Sequence, residues 1–190
     1  MINEKIVLAS QSPRRKELIS LIATDVTIRP ADCDETLPEG ISPRDAVEYL
    51  SKIKNDAARE ISHDDEIVIS ADTVVAVDDI ILGKPVDKDD ARYMISLLQG
   101  RVHSVYTGVT ISKGEKCVTF SEKTEVEFNH MTEGEIEEYI SSSEPYDKAG
   151  SYAVQGKACV YIKGLNGDYF NVVGLPVSRL YKELLGFASN

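Results

Sequence analysis

Apolar runs alternate with polar segments along the first half of the chain, in the order typical of strands and helices. Residues 6–8 are an apolar run of the length expected for a buried strand. Ser12 and Pro13 follow, and a serine before a proline is typical of a helix N-cap and the first helical residue. Ser42 and Pro43 repeat this pair before apolar residues at helical spacing. These patterns predict a strand, a tight turn and two helices.

Residues 66–77 form the most apolar segment, and we predict that they are a central strand of a sheet. Asp72 lies in the middle of this strand. A lone buried carboxylate is costly unless it is paired, hydrogen-bonded or bound to a metal. We therefore interpret Asp72 as a functional residue, and the alternative is a structural aspartate that bends the strand.

Residues 78–79 predict a two-residue turn, after which residues 80–82 return beside the central strand. This register places Thr73 opposite Lys84 or the glycine before it. Strict alternation then puts Thr73 and Lys84 on one face of the hairpin and Asp72 on the other. A bend at that glycine or at Asp72 is expected if all three side chains serve one site.

The second half of the chain predicts helices and a meander of strands. Asp87 predicts the cap of a helix that ends before Gly100, and a capping box from Thr132 predicts a helix to about residue 142. The remaining predicted elements are strands at 26–29, 103–112 and 117–128, a turn at Lys113-Gly114, a hairpin of 160–163 with 169–173 across Asn166-Gly167, and a final helix after Pro176. Together these elements predict an α/β fold on a mixed, strongly bent sheet.

Composition narrows the class of protein. The chain has 190 residues, 42% of them hydrophobic, which fits one globular domain. No apolar stretch approaches the roughly 20 residues that span a bilayer, and the N-terminus lacks a signal-peptide pattern. Three widely spaced cysteines, without metal-ligand spacing, favour reduced thiols in a cytoplasmic protein. The net charge of −11 argues against a nucleic-acid partner but permits a local cluster of cations.

Two arginines follow Pro13 directly in the first turn of the predicted helix. Arg14 and Arg15 oppose the helix dipole there, at a cost of about 0.3–1 kcal/mol each. The free backbone N–H groups of a helix start bind anions, and an anionic ligand would compensate both arginines. The alternative interpretation is a solvated basic turn.

Polar residues suited to a polyphosphate are spread along the chain. The donors are Ser10, Arg14, Arg15, Lys54, Lys84 and Lys148, and the acceptors are Asp34, Glu35 and Asp72. A cation and a phosphate oxygen about 4 Å apart attract by about 1 kcal/mol in water and about 4 kcal/mol at an effective dielectric of about 20. Carboxylates can hold a divalent ion or accept a proton from water. The loop 146–156 could wrap such a ligand or could be a plain connector.

Several ordered motifs carry a resemblance to a known family. They are the segment 8–15 (LASQSPRR), the segment 70–75 (SADTVV) with 82–85 (LGKP), the segment 147–152 (DKAGSY) with Gln155-Gly156, and the segment 171–176 (NVVGLP). In these motifs the sequence resembles the Maf family of nucleoside triphosphate pyrophosphatases, from Leu8 to Leu184. The resemblance implies one domain over residues 1–190 and a curved mixed β-sheet with flanking helices. That fold is inosine triphosphate pyrophosphatase-like, with a cleft between two lobes.

The resemblance also implies an activity, which is hydrolysis of a nucleoside triphosphate between the α and β phosphates with a divalent cation, Mg²⁺ or Mn²⁺. By motif position, Asp72 would accept a proton and Glu35 and Asp72 would lie at the metal. The implied substrate-binding residues are Ser10, Arg15, Lys54 and Lys84 for the phosphates, Arg14, Thr73 and Gln155 for specificity, and Lys148. Lys148 and Gln155 are similar to the branch of the family that uses dTTP and UTP.

A second hypothesis is a non-catalytic protein that senses nucleotides, because the family is linked to septum formation and cell division. Asp72 beside Lys84 favours the enzyme, since a pure binding protein needs no buried base. A homodimer is an expectation that comes from the family alone.

Overall fold

A computed structural model describes residues 1–187 of the protein. Within these residues seven strands form one mixed sheet and six α-helices flank it. The strands are β1 (Ile6–Leu8), β2 (Val26–Ile28), β3 (Ile67–Val77), β4 (Ile80–Leu82), β5 (Val102–Lys113), β6 (Lys116–Phe128) and β7 (Ile162–Asn166). The helices are α1 (Pro13–Ser20), α2 (Pro43–Arg59), α3 (Lys88–Leu98), α4 (Glu133–Ile140), α5 (Tyr169–Val173) and α6 (Val177–Leu185).

Strand β3 is at the centre of the sheet, whose order is β2-β1-β3-β5-β6-β7. Strands β2 and β3 run parallel to β1, and the other pairs are antiparallel. Strand β5 pairs with β3 without interruption from Val68 to Ala76. The predictions of a mixed α/β sheet and of a central strand at 66–77 are therefore confirmed.

The other edge of β3 is paired only at its two ends. Strand β1 pairs with β3 up to Ile69, and strand β4 pairs with it from Val75 onward. Residues 70–74 of β3 therefore have no ladder partner on this edge. The sheet has a gap there, and the polar segment that follows β1 borders it.

The two faces of β3 pack against different elements, because successive side chains point to opposite sides. Ile69 and Ala71 belong to one apolar cluster with α1 and α6, while Val75 and Val77 belong to a second cluster with α3 and α4. Thr73 lies between these clusters on the same face. The opposite face of β3 packs against α2, where Ser70 donates to the Ser51 carbonyl over 2.6 Å.

Helix α2 lies very close to β5. A Cβ atom built on Gly108 would be 2.2 Å from the carbonyl oxygen of Val47, so only a glycine allows this approach. Asn55 of the same helix donates its side-chain amide to the carbonyls of Val68 and Thr110, each over 3.1 Å. These contacts fix α2 against β3 and β5, and they thereby position Lys54, which α2 carries next to the gap.

Most local signals are confirmed. Ser12, Ser42, Asp87 and Thr132 are N-caps, and Thr132 forms the predicted capping box with Glu135. The predicted two-residue turn is confirmed by the pairing of Val77 with Ile80. Two predicted boundaries differ slightly from the structure. Helix α4 ends at Ile140 instead of at about residue 142. The β5–β6 turn is Gly114-Glu115 instead of Lys113-Gly114, because Lys113 pairs with Lys116.

The predicted hairpin of 160–163 with 169–173 is wrong. Residues 169–173 form helix α5, and β7 pairs with β6 instead. Asp168 caps the helix by accepting from the Phe170 amide over 2.8 Å. Asn171 holds it against the sheet by donating to the Val105 carbonyl and to Thr124 Oγ1. A short apolar run does not distinguish a strand from a buried helical turn, and here tertiary contacts decide.

Within residues 1–187, every helix is too short or too polar to cross a lipid bilayer. The expected single domain spans 1–190, of which residues 188–190 lie outside the described part of the chain.

The close packing at Gly108 gives a prediction of stability. We expect Gly108→Ala to lower the free energy of unfolding by about 1–3 kcal/mol, because the new methyl group must push α2 away from β5. Urea denaturation measures the change. Gly164→Ala is the matched control, since Gly164 also lies in a strand and a Cβ there meets no atom within 4 Å. Equal stability of the two variants would contradict the prediction.

A buried histidine gives a prediction of pH dependence. His103 packs edge-on against Phe128, its Nε2 atom lies 2.7 Å from the Tyr152 hydroxyl, and burial lowers its pKa from 6.5 to about 4. The stability that the neutral ring provides is complete above pH 6.5. It is lost as the pH falls toward 4, because the unfolded chain binds the proton first.

We therefore expect the free energy of unfolding to fall by roughly 2 kcal/mol between pH 7 and pH 5. Urea titrations at both pH values measure this change. His103→Gln should show a weaker pH dependence, and an identical dependence in both proteins would contradict the assignment to His103.

Candidate active site

A cavity of about 830 Å³ occupies the gap beside β3. Its wall includes residues of the β1–α1 turn, the loop after β2, helices α2 and α5, the middle of β3, the start of the segment after β4, and the loops before β7 and α6. The cavity has the size typical of small-molecule sites and lies at a carboxyl end of parallel strands, where ligands of α/β proteins bind.

The β1–α1 turn places hydroxyl groups and a helix start in this wall. The Ser12 hydroxyl accepts from the Arg15 amide over 3.4 Å, and the Ser10 hydroxyl accepts from the Ser12 amide over 3.2 Å. Pro13 has no N–H, so it leaves no donor unused at the first helical position. This local sequence orients the free end of α1 toward the cavity.

Arg15 joins three segments of the chain through its guanidinium group. Its Nε donates to the Gly174 carbonyl over 2.9 Å, its Nη1 to Ser10 Oγ over 3.3 Å, and its Nη2 to Thr73 Oγ1 over 3.0 Å. Burial lowers the pKa of Arg15, although a guanidinium stays charged at neutral pH. The planar group thus holds a fixed positive charge in the wall of the cavity.

Lys54 brings two carboxylates together on the α2 side of the gap. Its Nζ lies 2.6 Å from Asp72 Oδ1 and 2.8 Å from Glu35 Oε2. Burial disfavours the ammonium charge, but the two carboxylates outweigh burial and raise the pKa of Lys54. The lysine is therefore charged, and it compensates one of the two negative charges beside it.

The loop before β7 closes the cavity from the opposite side. Lys148 forms an ion pair with Asp147, and this hydrogen bond lowers the pKa of Asp147. Gly150 has a φ of +66°, and a Cβ there would be 2.8 Å from the Val75 side chain. Its amide donates to the Gly83 carbonyl over 3.0 Å, which connects this loop to the segment after β4.

All ten residues of the predicted site line this one cavity. They are Ser10, Arg14, Arg15, Glu35, Lys54, Asp72, Thr73, Lys84, Lys148 and Gln155. Asp34, another predicted acceptor, is not among the lining residues, because its carboxylate accepts from the amide and hydroxyl of Thr36 in its own loop. Sequence reasoning missed the Gly174 carbonyl, since a backbone contact between residues so far apart leaves no local signal.

Asp72 and Thr73 reach the cavity from opposite faces of β3. Asp72 contacts α2 through Lys54, whereas Thr73 contacts Arg15 on the other face. Both side chains border the same space because β3 has no neighbouring strand at this point of the gap. The expected alternation of Asp72 and Thr73 between the two faces is therefore correct. The gap, instead of a bend in the strand, lets both side chains serve one site.

The residues of the cavity fit a divalent cation that is shared with a phosphorylated ligand. Within residues 1–187 no group of three or more His, Cys, Asp or Glu side chains forms a ready metal cage. Glu35 and Asp72 are two carboxylates around one ammonium group, which leaves one negative charge uncompensated. Mg²⁺ is commonly bound by one or two carboxylates together with substrate phosphates, and this donor set suits that arrangement.

Cations from several segments beside a partly buried carboxylate are typical of proteins that bind and process phosphorylated ligands. The sequence profile described as Maf-like protein matches residues 5–187, so the chain belongs to the Maf family. The predicted family resemblance is thus confirmed.

Two relatives from Bacillus match nearly the whole chain. A Bacillus cereus protein named dTTP/UTP pyrophosphatase is 49% identical over 183 residues, which cover 96% of this chain and 95% of that protein. A Bacillus cytotoxicus protein of the same name is 47% identical over 186 residues, which cover 98% of this chain and 97% of that protein.

The fold is also similar to that of a solved structure. The Staphylococcus aureus Ham1 protein superposes with a TM-score of 0.55 at 14% identity, over 97% of this chain and 100% of that chain. This likeness concerns the fold alone. It agrees with the predicted fold class of a mixed sheet with flanking helices.

The contacts of Arg15 give a prediction for this site. A lysine has its donors on one atom and cannot reach acceptors on three segments. We expect Arg15→Lys to lower the free energy of unfolding by about 1–2 kcal/mol, measured by urea denaturation. Arg14→Lys, at the neighbouring position of the cavity wall, should change it by less than about 0.5 kcal/mol. A larger effect at Arg14 than at Arg15 would contradict this assignment.

Proposed function

We propose that this protein hydrolyses nucleoside triphosphates between the α and β phosphates, with dTTP and UTP as substrates. The products are the nucleoside monophosphate and pyrophosphate. The observation that carries the proposal is the pairing of Asp72 with Lys54 in the cavity that Arg15 also lines. The names of the Bacillus relatives, which match over nearly their whole length, support the same reaction and the same two substrates.

The cations of the cavity suit the triphosphate. Arg15 and Lys54 are held in fixed positions by hydrogen bonds, which reduces the entropy that is lost when a phosphate binds. We assign Ser10, Arg15, Lys54 and Lys84 to the phosphates, and Lys148 to the opposite side of the ligand. Positive charge at these positions stabilises the negative charge that accumulates on the leaving pyrophosphate.

Asp72 is suited to the role of general base. Lys54 contacts its Oδ1 atom and leaves Oδ2 available for a water molecule. The carboxylate takes one proton from this water, and the water oxygen forms a new bond to the α phosphorus. The old P–O bond breaks, and its electron pair leaves with the pyrophosphate. General-base catalysis of this kind contributes about 10²–10⁴-fold to a rate.

We assign Glu35 and Asp72 as the residues that would hold the divalent cation, Mg²⁺ or Mn²⁺. When bound, such an ion polarises phosphoryl oxygens and neutralises their charge.

We assign Arg14, Thr73 and Gln155 to the recognition of the base and sugar from their positions in the family's motifs, and all three line the cavity. The proposed enzyme is one domain over residues 1–190 that acts on the cytoplasmic nucleotide pool without nucleic-acid or membrane partners, and a homodimer is its expected assembly.

A non-catalytic nucleotide sensor linked to septum formation is the second hypothesis. A sensor would use the cations of the cavity to bind a nucleotide, but it would not need the carboxylate of Asp72 beside them. The relatives are named for an enzymatic activity, so their names do not favour the sensor.

Asp72→Asn tests the proposed function. We expect this variant to lose about 10³-fold in kcat for UTP and dTTP, because an amide cannot accept the proton. Its thermal unfolding should change little, since the amide oxygen can still accept from Lys54. The assay couples pyrophosphate release to an inorganic pyrophosphatase over a panel of triphosphates with Mg²⁺.

Asp56→Asn is the matched control, because Asp56 lies on the exposed side of α2 and pairs with Lys52. It should retain the rate of the unchanged protein. Nucleotide binding without pyrophosphate release in the unchanged protein, and no effect of Asp72→Asn, would support the sensor instead.

A further inference from the structure

Thr107 connects the cavity to helix α5 without lining the cavity itself. It lies on β5 directly opposite Thr73, and it is fully buried. Its Oγ1 atom lies 2.9 Å from Thr73 Oγ1 and 2.9 Å from the backbone oxygen of Asn171. The side chains of opposite residues in a ladder share one face of the sheet, so the side chain of Thr107 lies beside that of Thr73.

The proton of each hydroxyl can be assigned from the acceptors around it. The Asn171 oxygen is a carbonyl and only accepts, so Thr107 donates its single proton there. Thr107 Oγ1 then accepts from Thr73, which uses the single proton of Thr73. Thr73 Oγ1 in turn accepts from Arg15 Nη2 over 3.0 Å. The hydrogen bonds therefore run in one direction, from Arg15 through Thr73 and Thr107 to Asn171.

The reverse assignment of the threonine pair loses a hydrogen bond. If Thr107 donated to Thr73, no proton would lie between Thr107 Oγ1 and the Asn171 oxygen, which are 2.9 Å apart. Two buried oxygen atoms would then face each other at this distance with no proton between them, which is unfavourable away from solvent. The direction of the chain is thus set by Thr107, whose side chain is fully buried.

We propose that Thr107 is a positioning residue that makes the hydroxyl of Thr73 a hydrogen-bond acceptor toward the cavity. The proposal rests on the proposed function, because it concerns how that cavity selects a nucleotide. With its proton committed to Thr107, Thr73 offers only its remaining lone pair. The ligand atom that meets Thr73 must therefore be a donor.

The need for a hydrogen-bond donor determines which part of a nucleotide can contact Thr73. Ionised phosphate oxygens only accept hydrogen bonds, so they are unsuited to Thr73. At ring position 3, uracil and thymine carry an N–H donor, whereas cytosine N3 is unprotonated and the donor of cytosine is its amino group at C4. The proposal assigns ring position 3 of the base to Thr73, which then favours uracil or thymine over cytosine, and Thr107 maintains this preference.

The experiment compares a uracil nucleotide with a cytosine nucleotide. The dissociation constants of UMP and CMP are measured by calorimetry, and the kcat/KM values of UTP and CTP by pyrophosphate release. In Thr107→Val the Thr73 proton is free to turn toward the cavity and to donate to cytosine N3. We expect the preference for UMP over CMP, and for UTP over CTP, to fall by about tenfold, the factor typical of one hydrogen bond. Thr107→Ser keeps the hydroxyl and should keep the preference.

A double-mutant cycle tests whether Thr107 acts through Thr73. In a Thr73→Val background, Thr107→Val should change the preference by less than about twofold. Thr110→Val controls for the loss of a buried hydroxyl from β5, since Thr110 bonds Ser51 and Thr119 instead of the cavity residues. It should reduce stability but leave the preference unchanged.

An unchanged preference in Thr107→Val, an equal change in both backgrounds, or no binding of UMP by the unchanged protein would overturn the proposal. Failure of the proposed function has a different signature. In that case no triphosphate yields pyrophosphate, while the binding preference for UMP still depends on Thr107.

Discussion

The gap beside residues 70–74 of β3 is the constraint on which the site depends. Strand β1 ends too early and β4 begins too late to pair with this stretch, so its edge is open to a ligand or to water. Backbone N–H and C=O groups need partners, and an open edge inside a fold is costly unless polar groups surround it. The cations and carboxylates of six segments, one of them β3 itself, provide that polar surrounding. The unpaired edge of residues 70–74 is therefore both an interruption in the sheet and one wall of the cavity.

Local charge decides what this cavity can bind, and the charge of the whole chain does not. The chain as a whole is strongly acidic, at −11. Five cationic side chains line the cavity against four carboxylates, which are Asp32, Glu35, Asp72 and Asp147. The carboxylates compensate only some of these cations: Lys54 pairs with Asp72 and Glu35, and Lys148 pairs with Asp147. Arg15 keeps neutral acceptors only, so its charge remains available to an anion.

The parts of the structure that the sequence predicts are those in which neighbouring residues decide the conformation. The N-caps at Ser12 and Ser42 and the two-residue turn before β4 are formed by side chains and backbone within a few positions of each other. The candidate residues could be collected from motifs, but their convergence depends on pairings between distant strands. The role inferred for Thr107 needs the register of β5 against β3, which no local pattern contains.

Helix α5 shows why the one wrong element matters for the site. As a strand, residues 169–173 would direct their carbonyl groups into a ladder. As a helix, they direct carbonyls toward the C-terminal end, where the helix dipole is negative. The Asn171 carbonyl accepts from the Gly174 amide there and keeps a second lone pair for another donor. The Asn171 oxygen accepts from Thr107, and the carbonyl of Gly174, just after the helix, accepts from Arg15. The pattern of apolar residues did not predict this helix. Its C-terminal end nevertheless provides the acceptors that orient Arg15 directly and the Thr73 hydroxyl through Thr107.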